Sequence, residues 1–299
     1  MNSLMSYVIS LGLLFSSLLI PQDNAGKAAR AQELLAQARK AMGAEKVKSL
    51  TAAGNARQLL GDREMSGEIE LNIMAPDKFL KTTTLEVMGG MELTRIEAIS
   101  GDNAWTDSKT GGGGGGHMVV RMGGPGGNTS SADQQKAQQI FVRQEWSRVM
   151  LGFPVLIPAS MGLEFSYAGE AEAPDGLAHV IDIKGQAGFT AQLFIDQKTS
   201  LPLMVMYKGR KPRVVTRMVS SPEEIKGKSP EEALKEAQAK AAAEPPVDIQ
   251  IRFMNYKTEG GVMIPQHVTR TIDGQVSEEW QLAKFKINPA LKADIFEKK

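Results

Sequence analysis

The feature that most constrains the fold is a series of short segments in which apolar and polar residues alternate. The clearest one begins at Val247 and ends at Phe253, with Asp248, Gln250 and Arg252 between its apolar residues. Successive side chains of a β-strand point to opposite faces, so each such segment has one apolar side. Because similar segments recur along most of the chain, the pattern predicts a large antiparallel sheet with one apolar and one solvated face.

Two helices interrupt the predicted strands. The first covers Lys27–Met42, and its apolar residues recur every three or four positions, as on one face of a helix. This narrow stripe consists of Ala28, Ala31, Leu35, Ala38 and Met42. The second covers Ala132–Leu151 and has a wider apolar face, formed by Val142, Trp146, Val149 and Met150. We therefore predict a mainly β, α+β protein whose apolar sheet face must be covered by helices, by a second sheet or by a ligand.

Residues 1–25 carry an uncharged apolar run that is typical of a secretory signal peptide, with an uncleaved membrane anchor as the alternative interpretation. Export without any cysteine fits the periplasm of a Gram-negative-type bacterium. We predict a single domain over residues 26–299. It would carry a glycine-rich insertion at 111–128 and a helical insertion at 220–246.

Composition removes several classes of function. The chain of 299 residues has no cysteine, which excludes disulfides, thiolate metal sites and cysteine nucleophiles. It has 35 basic and 34 acidic residues, so it lacks the positive charge typical of a nucleic-acid-binding protein. We predict no cofactor and no nucleic-acid partner.

No motif predicts catalysis. The glycine run is followed by His117 and not by the lysine of a phosphate-binding loop. A hydrolase would require Ser160, His179 or His267 to converge with a carboxylate, and metal-ligand spacing is absent. Most of the acidic residues in the predicted strands are interpreted as part of the solvated face of the sheet. The residues considered are Glu68, Glu70, Glu278 and Glu279. We therefore predict a protein that binds and does not catalyse.

One dense basic patch is a candidate for contact with anionic membrane surfaces, although a solvated hairpin tip is the plainer interpretation. It consists of Lys208, Arg210, Lys211 and Arg213. Methionines in predicted strands, such as Met204 and Met206, suit a cavity for flexible apolar ligands or ordinary core packing.

Three short motifs carry a resemblance. A strand leads through Ala75–Lys78 into Phe79, a later strand through Gly101–Asn103 reaches Trp105, and Asn288-Pro289 precedes the final Phe296. In this order the motifs resemble the periplasmic outer-membrane lipoprotein-sorting carrier family (LolA/LolB-like), over most of residues 27–296. That family has an arginine just before the proline turn, where this chain has Ala75, so the resemblance bears more on the fold than on lipoprotein hand-over.

The resemblance implies a strongly curved antiparallel half-barrel whose concave apolar face is covered by helices. It also implies binding of lipid or of lipoprotein acyl chains, with Phe79 and Trp105 at the family's aromatic positions. A periplasmic sensor that binds a protein or peptide on the same fold is the alternative. We predict the following cavity lining: Leu71, Ile73, Phe79, Trp105, Phe165, Met204, Met206, Ile251 and Phe253.

Overall fold

The computed structural model describes residues 24–60, 63–87, 90–111, 121–122, 132–155, 162–173, 176–211, 214–215 and 245–298. The apolar run at 1–23 lies outside these residues, as do most of the two predicted insertions and Ser160. None of the helices in the described part of the chain combines the length and the apolar character needed to span a bilayer.

In the described part of the chain, twelve strands form one antiparallel sheet, and two further short strands pair with each other. The first half of the sheet comprises β1 (Ser49–Leu60), β2 (Arg63–Met74), β3 (Lys78–Val87), β4 (Met91–Ser100) and β5 (Asn103–Gly111). Its second half comprises β7 (Glu164–Ala173), β8 (Gly176–Lys184), β9 (Thr190–Asp196), β10 (Pro202–Gly209), β12 (Val247–Glu259), β13 (Val262–Ile272) and β14 (Gln275–Ile287). The separate pair consists of β6 (Arg121–Met122) and β11 (Val214–Val215). Across the sheet the strands lie in the order β5-β4-β3-β2-β1-β14-β13-β12-β10-β9-β8-β7.

Two long helices accompany the sheet. Helix α1 (Asn24–Met42) contacts the edge strand β7 and also β13, and helix α2 (Ala132–Met150) contacts the opposite edge strand β5 and its neighbour β4. In α1 the buried side is Ala31, Leu34, Leu35, Ala38 and Met42, so Leu34 replaces the predicted Ala28, which is exposed. The predicted architecture, an open antiparallel sheet with helices on its apolar face, is confirmed.

The sheet is strongly curved. The ring of Trp146 in α2 stacks on Phe79 of β3, and two residues later Arg148 donates hydrogen bonds to the carbonyl of Thr190 in β9. In sheet order β3 and β9 are seven strand steps apart, which would be about 34 Å in a flat sheet. A single helical turn can reach both strands only because the sheet bends around α2 as a half-barrel.

Strand β1 was absent from the sequence-based prediction. It is rich in alanine and carries Gly54, and both alanine and glycine disfavour strands. The strand nevertheless lies inside the sheet, between β2 and β14. Its buried residues Leu50, Ala52 and Ala56 belong to the common core. The small side chains therefore mark a crowded position inside a curved sheet and not a loop.

The chain leaves α2 across the concave face. A side chain at Gly152 would meet the ring of Phe253 at 2.3 Å, and the carbonyl of Gly152 accepts a hydrogen bond from the hydroxyl of Tyr256 at 3.2 Å. Phe153 then packs edge-on against Phe253, with ring centroids 6.3 Å apart. Helix α2 and the residues after it thus form one continuous cover over the concave surface.

Candidate ligand-binding site on the concave face

Six of the nine predicted lining residues lie on the concave face. Leu71, Ile73, Phe79, Ile251 and Phe253 are buried in a single core with residues of both helices, and the half-buried Phe165 packs against that core. Register explains the grouping, because Ile73 pairs with Phe79 and Phe79 with Ile99 across adjacent strands. Cross-strand neighbours share a face, so these residues form one apolar surface.

Met204 and Met206 lie on the opposite, convex face. Their neighbours Val205 and Tyr207 are buried in the core, and side chains alternate along a strand, so the two methionines point away from it. Met204 accordingly pairs with the exposed Arg252. Because residues on both faces of this strand are apolar, the sequence did not show whether the methionines or their neighbours face the core.

Trp105 also lies on the convex face. Ala104 pairs with the concave Ile99, so the next residue points the other way, and the indole Nε1 of Trp105 donates to the carbonyl of Phe296 at 3.0 Å. Phe296 is fully buried in the short 3₁₀ turn Ala293–Phe296, which contacts β3 and β4. The aromatic position indicated by the motif therefore anchors the C-terminal segment on the outside of the sheet.

Below α2, the concave face carries a cluster of charged side chains that we call the interior ion cluster. Its members are Lys81, Arg95, Glu97, Arg270 and Glu278 on the sheet, with Glu145 and Arg148 on α2. Five charged groups on the apolar face of a sheet, with two more on the helix that covers it, are unusual, because a buried charge requires partners.

Lys81 is the centre of one half of this cluster. Its ammonium lies 2.8 Å from Glu97 and 3.3 Å from Glu278, and its side chain is only 9% exposed. The same ammonium sits over the rings of Trp146, at 5.6 Å, and Trp280, at 5.0 Å. Two carboxylates and two aromatic faces thus hold one buried cation and attach α2 to the sheet.

Glu145 is the centre of the other half. Its Oε2 accepts hydrogen bonds from the hydroxyl of Tyr207, at 2.8 Å, and from Nη1 of Arg270. Its Oε1 accepts from Nη1 of Arg148 at 2.7 Å. Arg148 also lies over the ring of Tyr207, 3.9 Å from its centroid. Three donors from α2, β10 and β13 therefore surround one carboxylate.

Electrostatics keep the cluster ionised. Burial acts to raise the pKa of Glu97, but Arg95 and Lys81 outweigh it and hold the pKa at about 2. Burial likewise opposes the charge of Glu145, and Arg270 with Arg148 lowers its pKa. The pKa of Arg270 is raised, since Tyr207 and Glu145 outweigh the effect of its burial. At neutral pH the cluster is consequently a set of charges and not of neutral acids.

Glu278 was interpreted as part of the solvated face, and that interpretation is wrong. Its side chain is 12% exposed, lies within ion-pair distance of Lys81 and Arg270, and accepts a hydrogen bond from the indole of Trp280 at 2.8 Å. A sequence signal was present, because Glu278 and Trp280 are two positions apart and so share a face. Glu279, by contrast, pairs with Arg57 and His267.

Two buried polar atoms in the same region have no hydrogen-bond partner, Oε1 of Gln58 and Oγ1 of Thr83. Gln58 donates through Nε2 to Glu278 at 3.3 Å, and Thr83 pairs with Arg95 across the β3–β4 ladder. Both therefore border the interior ion cluster and extend its polar character along the concave face.

The two candidate catalytic histidines that the structure describes, His179 and His267, do not converge on one site. His179 lies beside Tyr167, with ring centroids 6.0 Å apart, and 3.8 Å from the carboxylate of Glu170. His267 lies on the convex face, 2.7 Å from Glu279. Among the residues that the structure describes, no group of three or more His, Asp or Glu side chains is placed to hold a metal ion.

The basic patch is partly neutralised. Lys208 pairs with Asp248 at 2.7 Å and Lys211 with Asp273 at 2.5 Å, and all four side chains are about half exposed or more. Arg210 is exposed, while Arg213 lies outside the described residues. Contact of this patch with a membrane surface stays a prediction. The ion pairs of Lys208 and Lys211 reduce the positive charge that such a contact could use.

No protein-family model matches the sequence, and no curated protein matches it either. The fold is similar to that of a LolA superfamily protein from Nitrosomonas europaea (10% identity, 90% of this chain and 97% of that chain, TM-score 0.46). It is also similar to a putative outer membrane lipoprotein-sorting protein domain from Vibrio parahaemolyticus (11% identity, 89% and 97%, TM-score 0.46). A third similar structure is a DUF1329 family protein from Desulfovibrio piger (8% identity, 89% and 97%, TM-score 0.45).

Proposed function

We propose that the protein binds the acyl chain of a lipid or lipoprotein on the concave face of its sheet, in the space that α2 occupies in this conformation. The observation that supports this function is the continuous apolar surface that runs from Phe79 to Phe253 around the half-barrel. Its central cover is a single helix that contacts the sheet edge and the concave face. A ligand that replaces the helix would meet the same apolar residues.

The energetics permit exchange between helix and ligand. Burying an acyl chain contributes about 0.8 kcal/mol per methylene group, or on the order of 10 kcal/mol for a long chain. Withdrawing α2 exposes Val142, Trp146, Val149 and Met150, which are buried against the sheet. Because the gain and the loss have the same origin, the net affinity stays small enough for a carrier to release its ligand.

Lipid extraction tests this function. Protein isolated from its native compartment should yield a stoichiometric lipid by mass spectrometry of an organic extract. Delipidated protein should gain thermal stability when the lipid is returned, because ligand binding to the folded state stabilises it. Finding neither a stoichiometric lipid nor a lipid-dependent change in stability would contradict the proposal.

A matched pair of variants places the binding surface. Phe253→Leu shortens a buried concave side chain, and Met206→Leu changes a convex one by a similar small amount. We expect the first to weaken lipid binding severalfold and the second to leave it unchanged, since only Phe253 would touch the acyl chain. Equal effects of both would argue against the concave face as the site.

A protein or peptide partner is the second candidate. The sheet is open, and β5 is an edge strand whose last residues, Ser108–Gly111, are exposed. An edge strand can accept an added strand from another chain. A pull-down that recovers a tight protein partner, together with extracts free of lipid, would favour this alternative.

The apolar segment within residues 1–25 leads us to propose that the protein is exported to the periplasm. Export to the periplasm would place the protein between two membranes, where a lipid carrier has both source and acceptor. Fractionation of cells, combined with N-terminal sequencing of the mature protein, distinguishes a cleaved signal from a retained anchor.

A further inference from the structure

We infer that Arg270 and Tyr207 form a binding site for the carboxylate of an acyl ligand, and that Glu145 occupies this site while α2 covers the sheet. The inference rests on the proposed function and narrows the ligand to an amphiphile with one anionic group. It assigns to Glu145 the role of an internal substitute for the ligand's head group.

The geometry is that of a carboxylate site. Glu145 Oε2 receives both the Tyr207 hydroxyl, at 2.8 Å, and Nη1 of Arg270, while Nη1 of Arg270 also donates to the Tyr207 hydroxyl at 3.1 Å. The side chains of Arg270 and Glu145 are 20% and 16% exposed. Charge-assisted hydrogen bonds of this kind are about twice as strong as neutral ones.

The two sheet donors are independent of the helix. Tyr207 pairs with Ile249 in the β10–β12 ladder, and Arg270 pairs with Ile251 in the β12–β13 ladder. Both donors are therefore held by strands on either side of β12 and remain in place if α2 withdraws. Ile249 and Ile251 are buried on the strand between them, so apolar surface begins directly beside the site.

The loss of one specific ion pair, and not a change in net charge, supplies the reason for an anionic ligand. With α2 in place, the interior ion cluster holds four cations and three carboxylates. Withdrawal of α2 removes Glu145 and Arg148 and leaves Lys81, Arg95 and Arg270 against Glu97 and Glu278. Among the described residues, Arg270 would then keep a single ion-pair partner, Glu278, whose Oε2 lies 3.7 Å from its Nε. A buried cation that loses its main partner is unfavourable, so a ligand that supplies an anion is preferred over a neutral one.

Three ligands of equal chain length test the inference on the delipidated full chain: dodecanoate, dodecanol and dodecyl phosphate, each competing with a fluorescent acyl probe. We expect dodecanoate to bind about tenfold more tightly than dodecanol. Equal affinities for the acid and the alcohol would overturn the inference and leave acyl binding intact. Tighter binding of dodecyl phosphate would overturn the carboxylate assignment, and no binding of any ligand would overturn the proposed function as well.

Variants connect the preference to the named residues. Glu145→Gln weakens the contact between α2 and the sheet, so both ligands should bind more tightly and the preference for dodecanoate should remain. The double variant Glu145→Gln with Arg270→Met avoids an unpaired buried carboxylate, and in it the preference should disappear. Tyr207→Phe removes one donor and should reduce the preference. Arg252→Met, an arginine on the convex face of β12, is the matched control and should leave the preference at about tenfold.

A preference that survives in the double variant would overturn the assignment to Arg270. A partly unfolded chain binds amphiphiles through exposed apolar surface whatever their head group. The retained preference for dodecanoate in Glu145→Gln, together with its gain in affinity, therefore keeps the test decisive if the other variants are destabilised.

Discussion

Individual small residues determine how closely the central strands approach. A side chain on Gly54 would meet the carbonyl oxygen of Gln281 at 1.9 Å, and one on Gly67 would meet the carbonyl oxygen of Thr84 at the same distance. Gly54 also lies at a register shift between β1 and β14. These positions need glycine for lack of space, and not for an unusual backbone angle.

Gly54→Ala should therefore lower the free energy of unfolding by about 2 kcal/mol or more, since the added methyl group meets backbone that cannot move cheaply. Chemical denaturation measures this change. Gly111→Ala in β5 is the control, because a methyl group there has no neighbour within 4 Å among the residues that the structure describes. Equal stabilities of the two variants would contradict the argument from close approach.

Glu97 makes stability depend on pH. Its pKa falls from 4.5 to about 2 in the folded protein. Burial alone would raise this pKa, but the positive charges of Arg95 and Lys81 lower it by more. A group with a depressed folded pKa stabilises the protein above its unfolded pKa, and this contribution disappears as the pH falls from 4.5 towards 2.

The contribution of Glu97 amounts to about 3 kcal/mol at neutral pH. Denaturation at a series of pH values should show a flatter decline below pH 4.5 in Glu97→Gln than in the wild type, together with lower stability at neutral pH. The same decline in both proteins would show that this carboxylate is not linked to folding.

At the scale of elements, helix α2 is held on the sheet by both apolar and polar contacts. Apolar contacts such as the stacking of Trp146 on Phe79 alternate with polar ones, among them Arg143, whose Nη1 donates to the carbonyl of Gly101 at 3.0 Å. The C-terminal turn is attached differently, with the fully buried Phe296 and the Trp105 hydrogen bond on the convex face. The proposed function assigns movement to α2, whose contacts an amphiphile can replace.

Distance measurements test that movement. Because the chain has no cysteine, spin labels can be placed at Gln139→Cys on the exposed side of α2 and at Lys284→Cys on β14 without other changes. Adding dodecanoate should shift the distribution of distances between the labels to longer values. A control pair on the sheet, Lys257→Cys with Lys284→Cys, should keep its distance, and an unchanged α2 distance would argue against displacement of the helix.

Elements also show where sequence reasoning succeeds. Strand β12 and the Asp273-Gly274 turn follow from alternation and turn chemistry, and both turn residues have the positive φ of a hairpin turn, 53° and 77°. Strand β1 could not be predicted, because alanine and glycine are selected there by crowding within the sheet. Such a constraint arises from neighbouring strands and leaves no local pattern.

Across the whole molecule, curvature brings distant residues together. Lys81, Glu145, Arg270 and Glu278 come from β3, α2, β13 and β14, and they meet because the open sheet curves around one helix. Curvature therefore turns an extended apolar surface into an enclosed one and concentrates the interior ion cluster beneath α2. The proposed ligand, an apolar chain with one carboxylate, reflects both properties of that interior.

Alternation along the chain was sufficient to determine the mainly β class, the antiparallel pairing and the shared face of six of the nine residues predicted to line the cavity, because period-two patterning is a local property of strands. Tertiary structure alone decided that Trp105, Met204 and Met206 face outward and that Glu278 faces inward. Alternation along one strand shows which residues share a face. When both faces carry apolar residues, it does not show which face is turned towards the core. Packing against α2 and the C-terminal turn decides this. The proposed carboxylate site was likewise beyond the sequence, since its donors become neighbours only when twelve strands curve around a helix.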